Sequence, residues 1–166
     1  MTNKLYTIAE TVIAWHDTTG DLGMTLNNLA AGAGQQGAQK DLGAITTPRS
    51  GLYGYRATVA FATTPVVSEV VGVFLKTSDG TYPDNDDGVT DLTVSAEDKL
   101  RNIMRLKHIT VDEAAISVNM VVSGQVYIPA DQRYVMPILW NYTADNLVAT
   151  NDVSRFMLWP IPPELQ

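Results

Sequence analysis

Tyr53-Gly54-Tyr55-Arg56-Ala57-Thr58-Val59-Ala60-Phe61 is the stretch whose reading decides the fold. Tyr53, Tyr55, Ala57, Val59 and Phe61 alternate with Gly54, Arg56, Thr58 and Ala60, a period of two that turns one apolar face toward a core. The pattern recurs on both sides. Residues 66–75 are apolar at both parities, as a central strand is. Ile116, Val118, Met120 and Val122 alternate with Ser117, Asn119, Val121 and Ser123. Tyr134, Met136, Ile138 and Trp140 form another set, interrupted by Pro137, whose missing N–H predicts an edge or a bulge. A short apolar strand follows over 156–160, and weaker ones are read over 6–15, 23–29 and 102–109. Turn formers separate these segments, as in Thr63-Thr64-Pro65 and Ser78-Asp79-Gly80. Helix is confined to one short turn over 96–100, for which Ser95 is the expected cap. About eight strands with so little helix predict an all-β chain: a single antiparallel β-sandwich of jelly-roll type. It is read as one domain over 1–166, with a short N-terminal arm (1–5) and a Pro-rich C-terminal tail (160–166).

Composition narrows the function. The chain has 166 residues, 45% of them hydrophobic and 17% charged, enough to bury a core without staples. It has no cysteine, which removes disulfides, thiolate nucleophiles and Cys-based metal sites. A net charge of −7 argues against nucleic acid as a partner, because phosphate contacts need a basic face. No apolar run suits a secretory signal or a membrane span, so the chain is expected to be made in the cytoplasm and to need no membrane. Asn141-Tyr142-Thr143 matches a glycosylation sequon and is read as a chance match.

The motifs that spell chemistry fail on context. Gly32-Ala33-Gly34-Gln35-Gln36-Gly37 has the dinucleotide-binding spacing, but no buried strand precedes it and no acid stands about 20 residues on. It is read instead as a glycine-rich crossing where backbone runs close to a sheet or a neighbouring subunit. Asp84-Asn85-Asp86-Asp87-Gly88 invites calcium, yet an EF-hand count puts Gly88 fifth and Ser95 twelfth. It is read as a solvated hairpin tip. His16 and His108 form no metal or triad pattern, and Ser50 has no partner in sequence. No catalytic residue, metal site or cofactor is expected, and the chain is read as not an enzyme. Arg101, Arg105 and Lys107 share strand parity and are the candidate docking stripe for an acidic protein surface. Trp15, Trp140 and Trp159 suit a core, an interface or a sugar-stacking platform.

Leu26-Asn27-Asn28-Leu29-Ala30-Ala31-Gly32-Ala33-Gly34-Gln35-Gln36, ending in Asp41-Leu42-Gly43, resembles a pattern of small structural proteins of tailed bacteriophages. The 53–61 strand, Thr64-Pro65, the 71–76 strand, Ser78-Asp79, and Arg133-Tyr134-Val135-Met136-Pro137 with Asn141 fall in a similar order, so the likeness runs from about Thr25 to Pro160. Gln35 departs from it, where the related pattern often has arginine, and no salt bridge or phosphate role carries over there. The resemblance implies a virion protein without catalytic residues, of the head decoration (cement) type with a jelly-roll fold.

The expected function is therefore to bind the outer surface of a phage head at junctions between capsid subunits and to stabilise the shell. Its partners are the major capsid protein and itself, as a homotrimer. Candidate contacts are Arg101, Arg105 and Lys107, the loop residues Gly32, Gly34, Gln35 and Gln36, and the tail residues Pro160, Ile161, Pro162, Pro163 and Leu165. The competing expectation is a carbohydrate-binding jelly-roll module of a phage tail or fibre, which would use exposed tryptophan and tyrosine. A glycan-degrading sandwich would need two facing carboxylates about 5–9 Å apart.

Overall fold

The computed structural model describes residues 11–17, 22–43, 50–81, 84 and 88–161. Among the described residues eleven strands build two sheets: β1 Ile13–His16, β2 Leu22–Gly23, β3 Gly34–Gln36, β4 Lys40–Asp41, β5 Leu52–Val59, β6 Val70–Ser78, β7 Leu92–Val94, β8 Met104–Thr110, β9 Met120–Tyr127, β10 Tyr134–Asn141 and β11 Arg155–Pro160. The first sheet runs β2-β1-β11-β5-β9 and the second β7-β3-β10-β6-β8, with β4 paired to β10. Setting aside the two-residue β2 and β4 and the edge strand β7 leaves eight strands, ordered 1-8-3-6 in one sheet and 2-7-4-5 in the other. That interleaving is the jelly roll, which brings the two halves of the chain together across both sheets. The pairing is antiparallel except between β1 and β2.

The apolar parity of each long strand meets between the sheets. Tyr53, Tyr55, Ala57 and Val59 of β5 pack with Phe156 and Leu158 of β11, Val71, Val73 and Leu75 of β6, and Trp15 of β1. Phe156 lies edge-on to Trp15 at 5.7 Å and stacks with Tyr55 at 6.2 Å, contacts worth about 0.5–1.5 kcal/mol each beyond their burial. A second apolar cluster forms on the far side of the β10–β6 sheet. There Phe74, Ile138 and Trp140 are roofed by Val94, Leu100 and Ile103 from the excursion between β6 and β8.

The boundaries depart from the sequence reading in instructive places. Val66 and Val67 are exposed in a turn, and β6 begins at Val70. Ile116 and Val118 are likewise exposed, and the strand starts at Met120 and runs on through Gly124. Alternation alone does not say where pairing begins. Of residues 23–29 only Gly23 lies in a strand, the two-residue β2, because a turn at Asn27 and Asn28 takes the chain away. Ser95 does not cap the 3-10 turn Glu97–Leu100; Ala96 holds that position with no side-chain bond. Pro137 is on no edge. It lies mid-strand in β10, opposite Leu75 of β6 on one side and between the end of β3 and the start of β4 on the other. Its carbonyl accepts from Gly37 N–H at 2.8 Å on that second side, so its missing N–H faces the gap in the neighbouring strand. Pro160 also belongs to the ladder, paired with Tyr53, and Ile161 N–H still donates to Leu52 at 2.8 Å. The tail thus starts later than its prolines suggest; Pro162, Pro163, Leu165 and the 1–5 arm lie outside the described residues.

Candidate protein-docking face

The outer faces of the two sheets differ. That of the β10–β6 sheet is covered by the chain's own 88–103 segment. That of the β11–β5 sheet has no such cover among the described residues. Outward parity there presents Arg155, Met157 and Trp159 from β11, Leu52 and Arg56 from β5, and Val121, Ser123, Gln125 and Tyr127 from β9, while Gly54 and Thr58 on the same side of β5 are buried. Tyr127 is 65% exposed and Val121 43%. Two rings on this face lie down on glycines. A Cβ at Gly54 would fall inside the Trp159 indole, and one at Gly51 would stand 2.8 Å from the Tyr127 ring. The glycines let the rings sit flat against the backbone, so the face is smooth and apolar toward one end. Arg56 stands exposed mid-strand in β5 and Arg155 stands exposed at the start of β11. No Asp or Glu occupies an outward strand position on this face.

The candidate stripe Arg101, Arg105 and Lys107 does not form one face. Arg105 pairs with Phe74 and Lys107 with Val73, adjacent residues of β6, so Leu106 is the extra residue of a β-bulge. The bulge reverses the parity. Arg105 turns outward beside His108, whose ring stands edge-on to Tyr142 at 6.2 Å, while Lys107 reaches the carbonyl of Ser123 on β9 at 3.1 Å. Arg101 sits in the turn after the 3-10 segment. Burial and Arg105 together lower the His108 pKa. Beside it, burial and the bond to Glu97 push the Tyr142 hydroxyl up to about 12.

The glycine-rich motif folds inward. Gly32 adopts φ +68, open to glycine at no cost, and heads the turn into β3. A Cβ at Gly34 would enter the Trp140 ring, and one at Gly37 would stand 2.6 Å from Trp15, which is the close crossing expected of it. Gly34, Gln35 and Gln36 are buried and leave the contact set. The Gln36 amide nitrogen donates to Gly88 and Thr90 at 2.9 and 3.1 Å, and its oxygen accepts from the buried Lys76 at 3.1 Å. Gln35 donates to Asp91 and accepts from Thr93. Trp15 and Trp140 are buried too, so no tryptophan platform forms from them.

Several carboxylates hold backbone N–H groups or cationic side chains. Asp84 accepts from Thr77 N–H at 2.6 Å; Asn85, Asp86 and Asp87 of the expected hairpin tip lie outside the described residues. Asp91 binds Thr25 N–H at 3.0 Å. Asp41 pairs with Arg133, which lowers its pKa to about 2. His16 meets Asp152 at 2.7 Å rather than its neighbour Asp17, which accepts from Leu26 N–H at 3.0 Å. Ser50 turns its hydroxyl to the Leu52 carbonyl at 2.7 Å. Among the described residues no three His, Asp or Glu side chains are placed to hold a metal ion.

Sequence reasoning missed Arg56, Arg155, Tyr127 and Trp159 as a group. Their outward parity was visible in each strand; their shared sheet, and its lack of cover, was not. No protein-family model matches the chain, and no curated protein does.

Proposed function

We propose that the chain is a decoration, or cement, protein of a tailed-bacteriophage head. It binds the outer surface of the shell as a homotrimer, at junctions between subunits of the major capsid protein, after synthesis in the host cytoplasm. The observation that carries this reading is the contrast between the two sheets: one outer face is roofed by the chain itself, and the other carries aromatic rings toward one end and two arginines with no ion pair among the described residues. Together with the likeness of the 26–43 and 133–141 segments to phage structural proteins, it supports a part that works by adhesion. Three copies held together engage several shell subunits at once, so modest contacts multiply into slow dissociation. Shells lacking the protein, mixed with the purified chain, should take it up to a fixed stoichiometry and withstand a higher temperature before disruption. Uptake without protection, or none at micromolar chain, contradicts the reading.

A carbohydrate-binding module is the second reading. The flat Trp159 and Tyr127 rings favour it, since sugars stack on such rings. Quenching of Trp159 fluorescence by host-surface polysaccharide, abolished in Trp159→Ala, would select it.

A further inference from the structure

We infer that the open face of the β11–β5 sheet, and not the β8 basic segment, is the surface that docks, and that its occupant is an acidic protein surface. The inference rests on the shell-binding reading above and names the contact.

Charge carries the choice of occupant. The chain as a whole bears −7, yet the outward strand positions of this face hold two arginines and no carboxylate. Arg56 and Arg155 are exposed, and neither forms an ion pair among the described residues. Arg56 shares a cross-strand row with Met157 and Ser123, and Lys107 bonds the Ser123 carbonyl at the rim of that row. A second copy laid face to face would set these cations against their own kind. A neutral glycan would leave them unpaired. An acidic protein surface pairs them and covers the rings beside them, an arginine-and-aromatic composition typical of binding centres.

The test compares half-saturating concentrations on intact shells at low and high salt. The double variant Arg56→Glu/Arg155→Glu should bind about tenfold more weakly or worse, and its remaining binding should lose salt sensitivity. Tyr127→Glu, at an exposed edge position, should weaken binding in the same direction and guards against a folding defect in the double variant. Arg101→Glu/Arg105→Glu should bind within about twofold of wild type. Wild-type binding matched by Arg56→Glu/Arg155→Glu and Tyr127→Glu places the contact elsewhere and overturns the inference while leaving the shell-binding reading standing. Loss of the homotrimer in these variants by sedimentation would assign the face to a second copy, and competition by soluble polysaccharide would assign it to a glycan; either overturns it. Wild-type chain that binds no shell overturns the reading and the inference together.

Discussion

Asn141 ends β10 with every polar atom of its side chain engaged and none of it exposed. Its amide nitrogen donates toward the carbonyls of Asp145 at 2.8 Å, Leu29 at 3.2 Å and Ala30 at 3.3 Å, and its oxygen accepts from the Thr143 N–H and hydroxyl at 3.1 and 2.7 Å. The sequon at this position is therefore inaccessible to a glycan, and the residue acts as a knot between the 26–33 loop and the end of β10. Removing the side chain takes one donor from each of these carbonyls, which keep Leu147 N–H, Ala33 N–H and the Thr143 hydroxyl, and leaves the buried Thr143 N–H without its acceptor. Asn141→Ala should lose about 1–3 kcal/mol in denaturant unfolding; an unchanged stability would show that water replaces the amide. Asp17 is the opposite case. Burial raises its carboxyl pKa, Asp152 and Asp91 push it further, and its Oδ2 finds no hydrogen-bond partner. A raised folded pKa contributes stability at low pH that is lost as pH rises through it. Asp17→Asn should accordingly be more stable than wild type at pH 7, with the gap closing as pH falls through the carboxylate range and Asp17 takes up its proton. A variant less stable than wild type at both pH values contradicts this account.

At the scale of elements, the long strands were legible and their edges were not. Residues 53–59 and 156–160 read correctly because alternation and burial coincide there. Residues 116–119 alternate just as well, yet they lie exposed ahead of the ladder, since pairing needs a partner strand that periodicity does not name. The bulge at Leu106 is a sharper lesson. One extra residue reversed the face of everything before it and dissolved a basic stripe that parity had assembled. The glycine-rich segment was legible as a close crossing, and Gly34 is its tightest point. Gly34→Ala pushes a methyl into the Trp140 ring and should cost about 1–3 kcal/mol, with the change in Trp140 fluorescence locating the strain. A neutral substitution would mean that the ring moves aside freely. Residues 26–43 and 133–141 are joined into one structural unit: Asn141 ties to Leu29 and Ala30, Leu42 N–H donates to the Arg133 carbonyl at 2.9 Å, and Arg133 pairs with Asp41.

At the scale of the molecule, function turns on which surface is left over after folding. The jelly roll buries one face of each sheet against the other, and the 88–103 excursion buries a third. The fourth, on the β11–β5 sheet, keeps its rings and arginines outward. A sequence shows which residues point away from a core; only the assembled sheets show which outward residues become neighbours and which are then roofed. The central claim is that this remaining face holds the chain on a phage head. Electron microscopy of the virion, with the jelly roll fitted into the density, tests it most directly. The account predicts three copies around each occupied junction on the outside of the head, with the β11–β5 sheet turned to the shell and Arg56 and Arg155 against shell carboxylates. Density for the chain in the tail or a fibre, or on the head with that sheet facing solvent, would contradict it.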